Sequence, residues 1–412
     1  MRRIIIFELK KMLMRPVSIL ALILLIAINC LSIFTDGMGT LILPEYVTAQ
    51  KTEQSKYAGR MDKNWTDEIQ QRLNVITEDH KNLIQEDERE QVRKEYLEKG
   101  YTQQYIDSLS NSVFLKPEIT DSLTYRVLKD AEYSSTFYTK AKDLSIALGK
   151  YYRSEYLGKK GEVLAQKAEK MYGYLAQKYI AFYDYNLGWN KLISLQKLLP
   201  FTVGFFLLIA LSSAFSGEYS GKTDSLLMSS KHGKGKLIHA KIMAAFFLAV
   251  GIWLLMQLLS LILVDSVFSL EGSQALVQDW QFNTCPFAFT QRTNYLAVCG
   301  MSITGILIFT AVILFISVKT KNPFITLLIS GTFLMTPVIA NIPQIGSFIK
   351  EIFTFAPVNI LIAADHFTFF KAYYFFGHAL MMQVVVPITA IIISGMLIPF
   401  VYKAFQRHQI EN

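Results

Sequence analysis

Residues Ser216–Lys236, SGEYSGKTDSLLMSSKHGKGK, hold the spacing that comes nearest to a phosphate-binding loop. Such a loop needs G-x-x-x-x-G-K-S/T, so that backbone amides wrap the phosphates and the lysine reaches them. Gly217 stands one residue too close to Gly221, Lys222 and Thr223, and Ser216 occupies the first glycine position. The segment also follows an apolar run rather than a strand, and no second acidic strand motif for magnesium accompanies it. Nucleotide binding by this chain is therefore not expected. His80, His232, His239, His366, His378 and His408 are scattered, without an HExxH pair or a G-x-S-x-G elbow. Cys30, Cys285 and Cys299 make no metal-ligand spacing; a Cys285–Cys299 disulfide stays open, and free thiols are expected. Asp265, Asp365 and Lys371 lie near the ends of apolar runs, where ionisable groups serve an ion path or simply reach water. The second reading is preferred. Gln257 falls within an apolar run and reads as an interhelical hydrogen-bonding group. No catalytic residue, bound cofactor or metal is assigned to this chain.

The elements that must position the 216–236 stretch are long apolar blocks. Hydrophobic residues make up 52% of the sequence and mean hydropathy is +0.29. The net charge of +8 is unevenly placed: residues 36–195 hold 24 acids and 23 bases, so the surplus flanks the apolar runs. Basic residues there set orientation and meet anionic head groups, which points away from nucleic acid. Arg2–Arg15, RRIIIFELKKMLMR, has the composition of an interfacial helix, with a plain basic lead into the first span as the other reading. Pro16 opens the run Val17–Phe34, which is long enough to cross a bilayer and longer than a signal-peptide core.

Residues 36–195 read as a polar, helical domain, placed outside the membrane by the bases that precede the first span. Trp65, Ile69, Leu73 and Ile76 recur at helical spacing, with Asn64 or Thr66 as cap. Gly100 ends a segment, Thr102 starts another and Pro117 opens a third. Leu164, Ala168, Met171, Leu175, Tyr179 and Phe182 keep one face of a further helix. The tyrosines between Tyr125 and Tyr185 read as bundle packing, with Tyr185 and Trp189 in an aromatic belt, in preference to a ligand surface.

Five further apolar runs follow, at about 198–215, 242–264, 296–317, 323–341 and 380–402. Between them, 345–370 is half apolar, carries Lys350, Glu351 and Asp365, and reads as a broken or re-entrant helix near the outer surface. Lys222, Lys231, Lys234, Lys236 and Lys241 hold the 216–241 loop on the cytoplasmic side, and both termini with it. The expected fold is all-α: a multi-pass cell-membrane protein of six transmembrane helices with an extracellular helical domain. Its parts are residues 1–35, 36–195 and 196–412.

Over 1–35 and 196–412 the pattern resembles permease subunits of ABC transporters, the type-two exporter class of Gram-positive bacteria. The resemblance rests on the amphipathic start, six spans and a loop running Glu218, Gly221, Lys222, Thr223, Asp224, Ser225, Leu226, Leu227, then Gly235 and Lys241. It implies that this loop forms a coupling helix docked on a separate ATPase, with ATP and Mg bound by that partner. It also implies a re-entrant element after the fifth span. The implied partner surface comprises Glu218, Lys222, Thr223, Asp224, Leu226 and Leu227, with Glu8 and Lys11 of the N-terminal helix. A second permease chain, identical or paralogous, would complete the path. The large outer insert departs from simple exporters and resembles those of permeases for peptides, bacteriocins or ions, so an amphipathic or peptide-like cargo is expected without a named substrate. The competing reading is a receptor or scaffold whose outer domain binds a peptide or envelope component without an ATPase. An ion-driven carrier, which would show inverted repeats and buried charge, is third.

Overall fold

A short amphipathic helix, α1 (Arg2–Leu13), opens the chain and is separated from α2 (Pro16–Phe34) by a break at Met14 and Arg15. Pro16 fits the first turn of α2, where its missing N–H has no helical partner to lose. α1 buries Glu8 and Met12 and leaves Ile6 and Phe7 exposed. The computed structural model describes residues 1–35, 41–107, 111–223, 229, 235–278, 282–336 and 346–407.

The polar block folds as a run of helices with its own apolar core. In order these are α3 (Pro44–Ser55), β1 (Gly59–Arg60), α4 (Lys63–Glu78), α5 (Glu86–Glu98), α6 (Gln103–Asp107), α7 (Pro117–Thr120), α8 (Leu123–Ser135), α9 (Phe137–Glu155), α10 (Lys159–Gln177) and β2 (Phe182–Tyr183). Trp65, Ile69 and Leu73 of α4 are buried as their spacing requires. The cap is Asp62, whose carboxylate accepts from the Trp65 N–H at 3.0 Å; Asn64 and Thr66 already lie inside the helix. Gly100 ends α5 at φ +86°, Thr102 Oγ accepts from the Tyr105 N–H, and Pro117 begins α7. α9 and α10 pair through the turn at Gly158, whose φ of +70° suits glycine. Leu164, Ala168, Tyr172 and Leu175 form the buried face of α10. The helix stops at Gln177, however, and Phe182 belongs to β2, paired antiparallel with β1 through Arg60. Aromatic and β-branched residues suit a strand as readily as a helix face, and the tertiary pairing decides.

Five described helices are long and apolar enough to cross a membrane, which by length and composition makes this a mostly helical, multi-pass membrane protein. They are α2; α11 (Leu187–Leu211) continued by α12 (Ser216–Ser220); α13 (Lys236–Phe268); α14 (Gln291–Lys319); and α18 (Met382–Gln406). The sixth expected crossing, 323–341, is helical over α15 (Pro323–Leu334), 12 residues, and 337–341 lies outside the described residues. Leu20, Ile23, Leu24, Ile28 and Leu31 of α2 and Leu254, Leu255, Leu258 and Ile262 of α13 point outward, leaving apolar surfaces that lipid would cover. Gln257 bonds Gln196 of α11 in both directions (2.9 and 3.1 Å) and accepts from Tyr295 of α14 at 2.9 Å, as expected for an interhelical tie.

Residues 346–381 break into short pieces: α16 (Ser347–Thr354), α17 (Pro357–Leu361), a 3-10 turn (Ala363–Phe367) and the hairpin β3 (Ala372–Phe375) and β4 (His378–Met381). α17 presses on the middle of α14, where a Cβ on Gly305 would lie 2.3 Å from the Leu361 nitrogen. A glycine is required at that approach. The expected last span begins two residues later than read, because Leu380 and Met381 pair within the hairpin.

The core of the α3–α10 block and the long apolar helices are packed together rather than joined by a tether. Leu276, Phe370 and Met381, from the segments that join the long apolar helices, enter the core of the α3–α10 block. Tyr172 and Tyr179 donate to the carbonyls of Thr284 and Phe289. Tyr185 and Trp189 do not form a lipid-facing belt: both are buried and donate to the Phe268 and Leu270 carbonyls at 2.5 and 3.1 Å. Cys285 and Cys299 are separate buried thiols.

Candidate functional site: an ion cluster at the N-terminal corner

The site begins with a break in a helix. α11 ends at Leu211, the chain turns through Ser212–Phe215, and α12 starts at Ser216. Two N–H groups freed by the turn, those of Phe215 and Ser216, donate to Ser317 Oγ on the last turns of α14 at 3.0 and 3.2 Å. Ser317 in turn donates to the Ser212 carbonyl at 2.9 Å. This seam aims Glu218 at the first turns of α13.

There the carboxylate meets Lys241. Lys241 Nζ lies 2.8 Å from Glu218 Oε1, 2.9 Å from Glu8 Oε2 of α1 and 3.1 Å from the Ala214 carbonyl. All three ammonium protons therefore have acceptors. Lys241 is 1% exposed, Glu8 3% and Glu218 4%. Lys11 also bonds Glu218 Oε1, and Thr223 Oγ1 donates to Oε2 at 2.7 Å. Arg15 stands close enough for both carboxylates to act on it: burial lowers its pKa, and Glu218 and Glu8 oppose the fall. α18 closes the corner from another side, with Phe405 packed on Phe215 and stacked on Tyr219. One cation thus ties α1, α12 and α13, and Ser317 of α14 and Phe405 of α18 pack on the same corner.

Of the residues expected to face a partner, Glu8, Lys11, Glu218 and Thr223 come together here. The carboxylates of Glu8 and Glu218 are turned inward to Lys241, so they brace the corner and Lys222, exposed at φ +51°, presents it. Asp224, Leu226 and Leu227 lie outside the described residues. Lys241 was legible only as one more loop lysine, and the sequence showed no buried charge. The usable signal was an acid and a lysine each set beside a short apolar run, Glu8 after IIIF in α1 and Lys241 before IMAAFF in α13.

The ionisable residues near other helix ends are surface groups. Asp265 accepts from the Leu270 N–H just past the end of α13, Asp365 pairs with Lys197 at 3.3 Å, and Lys371 pairs with Glu351 at 2.6 Å. Among the described residues no group of three or more His, Cys, Asp or Glu side chains is placed to hold a metal. No family model, curated protein or solved structure matches the chain.

Proposed function

We propose that this chain is the membrane-spanning permease subunit of an ATP-driven transporter, resembling the type-two ABC exporters. It moves or extracts a peptide, lipid-like or other amphipathic compound. A separate ATPase, which binds the ATP and Mg, docks on the corner formed by α1, α12 and the 216–236 loop. The corner faces the cytoplasm, with both termini, and the α3–α10 domain lies outside. A second permease chain completes the path.

The observation that carries this reading is the Lys241 clamp. A loop that only linked two helices would need no buried cation bonded to carboxylates on two other segments. Removing three charges from water is expensive, and ionisable groups within membrane segments mark function more often than stability. A brace of this kind turns a push on the loop into a concerted displacement of several helices, the movement that alternating access requires.

The test is affinity purification of the full chain from its native membranes. A nucleotide-hydrolysing subunit is expected to co-purify, and Lys222→Glu to lower its recovery while leaving thermal stability unchanged. Recovery of the chain with no such subunit would falsify the proposal and leave the receptor or scaffold reading.

A further inference from the structure

A cavity of about 630 Å³ lies where α9 and α10 of the outer domain meet α16 and β3 of the membrane half. That volume matches a small-molecule site and is too small for a folded partner. Its wall is aromatic. Tyr152 stacks on Tyr156 at 6.2 Å between centroids and meets Phe370 edge-on at 5.6 Å, and Phe348, largely exposed, lines its rim.

Three charged residues line it, and they are not equivalent. The carboxylate of Glu351 is used at both oxygens, by Lys371 Nζ and by the Tyr373 hydroxyl, each at 2.6 Å. Lys371 is neutralised in the same contact. Lys160 has no carboxylate partner among the described residues, and its ammonium stands 3.9 Å above the Tyr156 ring. The lining therefore carries one uncompensated positive charge beside an apolar, π-rich surface. A cationic guest would meet Lys160 and find Glu351 already occupied.

We infer that this cavity binds an amphipathic anion, with the apolar body against Tyr152, Tyr156 and Phe370 and a phosphate or carboxylate against Lys160. Phosphate and carboxylate are the groups an ammonium recognises most strongly, and the apolar body adds surface burial. The inference goes beyond energised transport and needs no ATPase, so its failure would leave the docking reading standing.

The experiment uses the full chain in nanodiscs of neutral lipid, with empty discs as blank, and equilibrium dialysis of radiolabelled octyl phosphate below its micelle concentration. Saturable binding is expected, with octyl glucoside and octyltrimethylammonium bound more weakly. Lys160→Ala is expected to weaken octyl phosphate roughly tenfold, the size of one hydrogen bond to a charged group, and to leave octyl glucoside unchanged. Lys159→Ala, next to it but off the lining, is expected to change nothing. Because Lys160 is exposed, its replacement leaves the fold intact; Phe348→Ser at the rim gives a second variant, expected to weaken both probes. Displacement of octyl phosphate by phosphatidic acid built into the discs would identify a lipid head group as the source of the anion, and its absence a soluble amphiphile. The proposal is overturned if binding does not saturate, if Lys160→Ala binds octyl phosphate as the parent does, or if the trimethylammonium probe binds more tightly.

Discussion

Lys241, six residues into α13, places its ammonium 2.9 Å from Glu8 of α1, across 233 residues of sequence. Both groups are inaccessible to water, and the same ammonium bonds Glu218. Removing the cation takes from Glu8 its bonded partner and leaves Glu218 only Lys11 and Thr223, with both carboxylates still buried. Lys241→Met is expected to cost about 3–5 kcal/mol and to abolish a cooperative melt in detergent. The triple variant Lys241→Met, Glu8→Gln, Glu218→Gln is expected to recover part of that loss. Lys11→Ala touches the half-exposed member and is expected to cost no more than about 1 kcal/mol. Equal losses for Lys241→Met and Lys11→Ala would show that the cluster is not organised around Lys241.

Asp130 accepts a hydrogen bond from the Tyr183 hydroxyl at 3.0 Å within the α3–α10 block. Burial raises its pKa, and the bond from Tyr183 only partly opposes the rise. A carboxyl whose folded pKa is raised contributes stability that is full below its unfolded value and is lost as pH climbs through the folded value. Asp130→Asn keeps an acceptor for Tyr183 and removes the charge. It is expected to raise Tm at neutral pH and to flatten the pH dependence between the ordinary aspartate range and neutrality. A lower Tm at neutral pH would refute the assignment.

Gly305 on α14 and Leu361 on α17 touch backbone to side-chain position. Gly305→Ala would set a methyl 2.3 Å from the Leu361 nitrogen, so one helix must move. A loss of about 1–3 kcal/mol is expected, with faster amide exchange over Pro357–Leu361. Gly300→Ala, five residues earlier on the same helix with open space around it, is expected to be neutral or mildly stabilising.

Phe376 and Gly377 form the two-residue turn between β3 and β4, with φ of +45° and +89°. Asn-Gly suits such a turn, whereas a fully exposed phenylalanine in that conformation is strained. Phe376→Asn is expected to slow amide exchange over Ala372–Met381 by about fivefold, corresponding to about 1 kcal/mol. Unchanged exchange would refute the assignment of strain to Phe376.

Much of this architecture was determined locally. The length and apolarity of α2, α13, α14 and α18, the α4 face at Trp65, Ile69 and Leu73, the stop at Gly100 and the start at Pro117 follow from periodicity, propensity and backbone geometry within a few residues. Where competing local preferences were close, tertiary contacts chose: Phe182 joined a strand because Arg60 was there to pair with it, and Tyr185 and Trp189 turned inward because the Phe268 and Leu270 carbonyls needed donors. The clamp was legible only as separate charges, not as one buried cluster, and the cavity was not legible. In the sequence Glu8 and Glu218 read as partner-facing charges and Lys241 as a loop lysine, while Tyr152 reads as bundle packing and Lys371 as a group near the end of an apolar run. Only the packing of distant segments removes water from the first set and leaves room inside the second, and burial and enclosure are properties of the assembled chain rather than of any window along it.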